Sequence, residues 1–451
     1  MSVISIAGDD YGITLRTANP NPMLYNPERE TLPLDELRKL QSQRLKTMLQ
    51  RQYDHVPFYR KLLSERGIHP NDINGIDDLS KLPFTRKTDL RDQYPYGLFA
   101  EPEDQIRRIH ASSGTTGKPT VVGYNHQDLA LFDEVVARSL VCAGARPGMK
   151  LHNAYGYGLF TGGLGMHGGA TKLGMAVIPV SGGMTDRQLM ILQDFKPEVI
   201  CCTPSYAQTL AEECTKRGID TGSLAVKYAV LGAEPWTETI RSQVEAGLNV
   251  EATNIYGLSE IIGPGVSQED VEEKGTGSYV WEDHFFPEIV DRDTGEPLPY
   301  GQEGVLVFTT LTKQAMPLLR YWTNDICSLH YDSNGKRTHI KMSTIKGRAD
   351  DMLIIRGVNL FYTQVEEVIK DMDFLIPNYQ LVVSRDGTMD QVLVKVEVAE
   401  GVEIANQDLA RSFGKKIKDN IGISMNIELL NKGEIPMSQG GKLSRIVDMR
   451  K

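Results

Sequence analysis

Residues 112–120 read SSGTTGKPT, a run of glycines and hydroxyls with a single lysine. Such runs cradle phosphate, because glycine lets the backbone approach an anion and the amides and hydroxyls donate to it. Two chemistries compete for it. One is terminal phosphoryl transfer by a Walker loop; the other is the holding of ATP while a different phosphorus is attacked. Spacing separates them. A Walker loop reads G-x-x-x-x-G-K-[ST] and opens a helix. Here only Thr115 and Thr116 separate Gly114 from Gly117, and Lys118 is followed by Pro119. The next residues, TVVGY (120–124), are β-branched and aromatic and read as a strand. The run is therefore expected to be a turn between two strands, and the Walker reading fails.

Such a loop needs a scaffold, and 451 residues supply one of about two to four subdomains. Hydrophobic content of 40% and charged content of 24% fit a soluble globular chain. No apolar run approaches the roughly 18 residues of a membrane span, and MSVISIAGDDYG has no basic region ahead of an apolar one, so neither a membrane nor a secretory signal is expected. A net charge of −10 argues against nucleic acid as a partner. Cys142, Cys201, Cys202, Cys214 and Cys327 form no C-x-x-C pair, so disulfides and structural metal are not expected and a reducing, cytoplasmic setting fits.

Along the chain, Leu34, Leu37, Leu40, Leu45, Met48 and Leu49 recur at helical spacing. From about residue 126 to 260, helix and strand signals alternate. PEVICC is followed by Thr203 as N-cap, Pro204 at the first helical position and Gly218 past the end. YAVLGAEP (228–235) and VEATNIYG (250–257) repeat the strand-then-turn pattern, which indicates an α/β layer with ligand loops at strand ends. Residues 278–345 read as β-rich. After GRADD (347–351) come MLIIRG, a turn at Val358-Asn359, and Thr363 with Glu366 as a capping box before VEEVIKDM. The expected division is 1–347, then 351–451, with a hinge near 348–350.

Four stretches then combine with the glycine loop's neighbourhood: SSGTTGKPT itself, NIYGLSE (254–260), RYWTND (320–325) and GRADDMLIIRG (347–357), with QGGKLSR (439–445) near the C-terminus. Together they resemble the adenylate-forming superfamily, and the runs HVPFYRKLL, LPFTRKTDLRDQYP, YGLSEIIGPGV, WEDHFFPE and TTLTKQAMPLLRY resemble its phenylacetate–coenzyme A ligase family. The resemblance covers nearly the whole chain. It implies a large N-terminal α/β domain with a β-rich subdomain and a small mobile C-terminal α/β domain. It also implies a two-step reaction, in which a carboxylate attacks the α-phosphorus of ATP and a thiol, that of coenzyme A, then displaces AMP.

The resemblance implies roles residue by residue. Ser113, Gly114, Thr115, Thr116, Gly117 and Lys118 hold the triphosphate. Gly232, Ala233 and Glu234 form one adenine wall, and Asn254, Tyr256 and Gly257 belong to the nucleotide site, with the Tyr256 ring suited to stacking. Glu260 is the expected Mg²⁺ ligand, since a hard cation on phosphates takes carboxylate oxygen. Asp325 and Arg348 serve the ribose. Lys442 is the catalytic residue, a charge stabiliser that enters on a glycine-flanked loop, and Asp350 is the hinge. For the acid, Tyr155, Tyr157 and Phe160 from NAYGYGLFTGGLG are the candidates, with Ile261 and Pro264 near the reacting carboxylate. The chain departs from the family's RYRTRD or RYRTGD pattern at Trp322 and Asn324, which changes the surface expected to meet the C-terminal domain.

The partners expected are therefore ATP, Mg²⁺, coenzyme A and a small aromatic carboxylic acid, and the family allows a homodimer. Rival readings keep the adenylation and change the acceptor to a carrier-protein thiol, or transfer the nucleotide to a hydroxylated cofactor. A non-catalytic sensor of nucleotide or aryl acid is a third, against which the retention of Lys442, Glu260 and Asp325 speaks.

Overall fold

Strands Lys150–Asn153, Val199–Cys202, Tyr228–Gly232 and Glu251–Leu258 form the centre of the sheet; Val199–Cys202 and Tyr228–Gly232 are rich in β-branched and small apolar residues and almost wholly buried. They lie parallel in that order, with Ala176–Ile178 flanking Lys150–Asn153 on the other side. Helices between successive strands cover the faces, which is why the central Val199–Cys202 and Tyr228–Gly232 are nearly continuous apolar runs and not alternating ones. The computed structural model describes residues 23–111, 119–349, 353–355, 358–386, 389–435 and 445–449.

Beyond Glu251–Leu258 the sheet turns antiparallel through Gly263–Glu269, Ser278–Val280 and Lys341–Met342, then Tyr321–His330, Glu303–Thr310 and Phe285–Val290. The result is a 12-stranded mixed sheet. Its carboxyl-terminal strand ends, Asn153, Cys202, Gly232 and Leu258, release the loops that sequence reading singled out, as open α/β sheets do at their ligand crevice.

Helix Pro204–Lys216 has the expected terminal chemistry. Thr203 Oγ1 accepts from Tyr206 N at 3.4 Å, Pro204 opens the helix, and Gly218 lies beyond its end at φ 65°. The amphipathic N-terminal stretch forms Leu34–His55 and, after a break at Val56-Pro57, Pro57–Ser64. Leu37, Leu45, Met48 and Leu49 face the core, whereas Leu34 lies at the exposed first turn. All five cysteines are free and buried. Among the described residues no helix is long and apolar enough to cross a membrane.

The C-terminal part has its own core, from Leu353 and Ile355 through Phe413 and Ile417 to Leu429. Its four-stranded sheet runs Asn426–Leu430, Met389–Val398, Leu375–Asp386 and Ile446–Asp448. Two local expectations here need correction. Val358 and Asn359 are not a turn, because Val358–Leu360 pairs antiparallel with Leu353–Ile355. The next helix, Tyr362–Lys370, begins after Phe361, and Phe361 N donates to Gln364 Oε1 at 3.0 Å. Thr363 is inside that helix and its hydroxyl donates to Lys346 O at 2.5 Å, so Thr363 and Glu366 form no capping box. Tertiary partners took both side chains.

Candidate functional site

The site grows from the turn between strands Glu251–Leu258 and Gly263–Glu269. Their pairing slips between Tyr256 and Gly257, a bulge that re-aims the strand end. Gly257 is required there, since a Cβ would fall 1.9 Å from Gly263 O. Upstream of the bulge, Tyr256 Oη donates to Asp325 Oδ2 at 2.5 Å, and its ring stacks on Phe308 with centroids 6.3 Å apart. Burial, then the Asp325 charge, pushes the Tyr256 hydroxyl well above its usual range, so it stays protonated and donates.

Asp325 and Arg348 are direct partners across paired strands, and Arg348 Nη1 reaches Asp325 Oδ1 at 3.5 Å. The acid is thus held from two sides, with the Arg348 side chain 34% exposed. Downstream of the bulge, Glu260 is buried and its Oε1 accepts from Tyr321 Oη at 3.2 Å. Lys87 Nζ lies 3.9 Å from the same oxygen, delivered by backbone pairing of Thr85 with residues 320–322. Both contacts fall on Oε1, so Oε2 carries no hydrogen bond among the described residues. A half-coordinated, hard carboxylate oxygen fits Mg²⁺ chemistry.

The other residues expected at the nucleotide lie on or next to neighbouring strands of the sheet. Gly232 ends its strand opposite Ile255, and Ala233 takes a left-handed φ of 74°. Glu234 Oε1 accepts from Ser205 N at 2.7 Å, joining the 233–236 turn to the start of helix Pro204–Lys216. Asn254 N donates to Glu269 Oε2 at 3.0 Å. Ser113, Gly114, Thr115, Thr116, Gly117 and Lys118 lie outside the described residues, as do Asp350 and Lys442. The strands flanking the glycine loop, Arg108–Ala111 and Val121–Tyr124, pair antiparallel as the sequence implied.

The acid candidates differ in burial, and Tyr155 and Ile261 share the main core. Tyr155 is buried, its hydroxyl beside the Gly232 backbone without a well-formed hydrogen bond. Tyr157 is half-buried; its hydroxyl accepts from Asn153 Nδ2 at 2.7 Å and lies 3.1 Å from His167 Nδ1, and burial pushes it up to about 12. Phe160 is 53% exposed at the start of helix Thr161–Leu173. Ile261 is fully buried in the main core and Pro264 is half-buried. The loop bearing the aromatics is tied to the strand Arg108–Ala111 through one carbonyl oxygen. Leu159 O accepts both Ala111 N at 3.0 Å and His110 Nδ1 at 2.9 Å. Thr161 Oγ1 and Ser259 Oγ, 3.0 Å apart, link it also to the Glu260 turn.

Sequence reading passed over several residues that the fold brings here. Tyr321 stood in RYWTND and Lys87 in LPFTRKTDL without roles, and Lys313 stood in TTLTKQAMP. Lys313 is fully buried, and burial lowers its ammonium to about 8 against the opposing pull of Asp128 and Glu260. Its neighbours Thr312 and Gln314 are polar, so nothing local marked it as buried. The departures from the family pattern pack together. Trp322 Nε1 donates to Asn324 Oδ1 at 2.8 Å, and the Arg86 guanidinium lies 4.2 Å over the indole. Trp322 joins a small core with Val305, Val307, Ile326 and Ala349, against which Phe361 packs.

The C-terminal part docks on the helix that follows the 233–236 turn. Thr237, the N-cap of Glu238–Leu248, donates through Oγ1 to Glu366 Oε1 at 3.3 Å. Glu366 Oε2 accepts from Tyr379 Oη at 3.1 Å, and the Arg445 guanidinium stacks 4.3 Å from the Tyr379 ring. Burial raises the Glu366 carboxyl above its ordinary range, against the pull of Arg445.

Comparison with known proteins gives the family. The family model for AMP-binding enzymes matches residues 20–314, and that for the AMP-binding enzyme C-terminal domain matches residues 357–450. Phenylacetate-coenzyme A ligase from Thermus thermophilus is 60% identical over 446 residues, covering 95% of this chain and 100% of that protein. The solved structure of 2-hydroxyisobutyryl-CoA ligase in its postadenylation state with 2-HIB-AMP superposes with a TM-score of 0.90 at 26% identity, covering 97% of this chain and 94% of that one. The same ligase with 2-HIB-AMP and CoA in its thioesterification state gives 0.73 at the same coverage. With both models matched in order and that identity across almost the whole length, the chain belongs to the phenylacetate–coenzyme A ligase family of AMP-binding enzymes.

Proposed function

We propose that this chain is an ATP-dependent aryl-acid–CoA ligase acting on phenylacetate or a similarly flat acid. The observation that carries the reading is the bracket of Tyr256, Asp325 and Arg348, which joins the end of the parallel strand leading to Glu260 to the antiparallel strands Tyr321–His330 and Gly347–Arg348. An acceptor-only carboxylate held by two donors suits the paired hydroxyls of a ribose, and Arg348 adds planar donors. One face of Tyr256 is taken by Phe308, so a base would stack on the other.

The chemistry follows from charge. A carboxylate is a poor acylating agent because its leaving group would be oxide, and esterification to AMP replaces that group. A carboxylate oxygen attacks the α-phosphorus, forming the acyl–phosphate bond as pyrophosphate leaves; the thiolate sulfur then attacks the acyl carbon and AMP departs. Bringing the acid to a triphosphate of roughly four charges meets a repulsion on the scale of about 332/(εr) kcal/mol for each charge pair. Residues 113–118 and Lys442 are assigned to offset it with oriented donors and one ammonium. Glu260 would hold Mg²⁺ through the oxygen not engaged by Tyr321, and the ion, when bound, neutralises phosphate charge.

Tyr155, Tyr157, Phe160, Ile261 and Pro264 are assigned to the acid. The domain division stays near 348–350, with Asp350 as the pivot. The higher TM-score against the postadenylation state supports reading the present docking of Glu366 on Thr237 as close to that state. Pyrophosphate exchange into ATP, measured with a panel of aryl and aliphatic acids, tests the first step. AMP release with and without CoA tests the second. Exchange with no acid offered would end this reading.

A further inference from the structure

The turn Ser259–Ile262, which presents Glu260, is held from beneath by two side chains to which the reaction above gives no role. Tyr124 Oη donates to Ile262 O at 2.9 Å and lies 3.4 Å from Ser259 O. Lys313 Nζ donates to Glu260 O at 3.1 Å and sits 5.0 Å from the centroid of the Tyr124 ring. Both side chains are fully buried. The turn's own amides, Ile261 N and Ile262 N, both go to Leu258 O, at 3.1 and 3.2 Å, so its carbonyls are met by side chains.

Filling a core with lysine is expensive, since burial penalises the charge and freezes a long side chain. An apolar residue would fill the space at less cost. The lysine's neighbours are arranged around it nonetheless. Asp128, whose charge faces the ammonium, is fixed by Gln314 N at 2.6 Å and Ala315 N at 2.8 Å. The same stretch of chain continues to Tyr321, which donates to Glu260 Oε1. One segment therefore grips Glu260 at both ends: Lys313 at the backbone carbonyl and Tyr321 at the carboxylate.

We infer that Lys313 is a positioning residue for nucleotide binding: with Tyr124 it fixes the turn so that the free oxygen of Glu260 faces the metal-bound phosphates. This rests on the adenylating function proposed above. It predicts damage confined to the half-reaction that uses Mg·ATP.

The test uses the full chain with Lys313→Met, which keeps length and loses the donor, and Tyr124→Phe, which keeps the ring and loses the hydroxyl. Calorimetry measures the affinity of a non-hydrolysable ATP analogue with and without Mg²⁺. The magnesium enhancement of affinity and the KM for Mg·ATP in pyrophosphate exchange should each worsen about tenfold in Lys313→Met, the effect of one lost charge-assisted hydrogen bond. Tyr124→Phe should move both in the same direction by less. Thioester formation from synthetic phenylacetyl-adenylate and CoA should stay within about twofold of the native chain. Unchanged magnesium enhancement in a folded variant overturns the inference, and so does an equal fall in both half-reactions. Should Lys313→Met fail to fold, Tyr124→Phe carries the test. A native chain that binds the analogue with magnesium yet exchanges no pyrophosphate with any acid would sink the ligase reading and leave the clamp standing.

Discussion

Tyr256 Oη and Asp325 Oδ2 lie 2.5 Å apart, and this hydrogen bond joins the bulged strand of the Glu260 turn to the strand that pairs with Arg348. Tyr256→Phe leaves the ring and removes one of the acid's donors. The KM for ATP is expected to rise about tenfold, the cost of a hydrogen bond to a charged group, with the KM for the acid unchanged. Steady-state kinetics with each substrate varied would show the split. A rise in the acid's KM alone would remove Asp325 from the nucleotide.

Lys442→Ala should abolish acid-dependent pyrophosphate exchange by about a thousandfold while thioester formation from synthetic acyl-adenylate and CoA persists. Rapid-quench measurement of each half-reaction separates the two. Surviving exchange would assign the α-phosphate charge to another group.

Gly257 and Gly156 make a matched pair for stability. A Cβ at Gly257 meets Gly263 O at 1.9 Å and Pro264 Cα at 2.8 Å, all backbone, whereas nothing lies within 4 Å of one at Gly156. Gly257→Ala should cost about 3 kcal/mol or more, and Gly156→Ala less than about 1 kcal/mol. Urea midpoints of the two variants against the native chain give the comparison; equal midpoints would mean the bulge yields freely.

Acid should weaken the fold through buried histidines. Burial lowers the pKa of His152, whose Nε2 donates to Gln188 Oε1, and that of His110, bonded to Leu159 O. A lowered folded value means that the unfolded chain takes up protons first, at its ordinary 6.5, while the native chain stays neutral. Stability is therefore present above that pH and is lost as pH falls towards the folded values. Urea midpoints should drop between roughly pH 7.5 and 5.5, and His152→Gln should flatten the slope. A slope identical in the variant would place the acid sensitivity elsewhere.

Local chemistry explains what was legible in the sequence. Thr203, Pro204 and Gly218 bounded a helix because capping is decided within one turn, and the parallel strands announced themselves as short apolar runs between helices. Tyr256, Asp325 and Arg348 were each singled out through the resemblance, whereas their contacts with one another come only from the fold. The grip on Glu260 was hidden because Tyr124, Lys313 and Tyr321 reach it from distant parts of the chain, and no local pattern marks such a meeting. The same cause misplaced the cap at Thr363: its hydroxyl and the Glu366 carboxylate were drawn to Lys346 and Thr237, outside their own helix.

The shared acceptor at Leu159 has a practical consequence for altering which acid is taken. Because one oxygen anchors both the aromatic loop and the strand feeding the glycine run, the roles proposed for the two would be coupled, and remodelling residues 156–160 would not act on selectivity in isolation. Variants chosen for a bulkier or smaller acid should drift in their hold on ATP as well, and screens that vary both ligands together will find workable combinations that single-substrate selection discards.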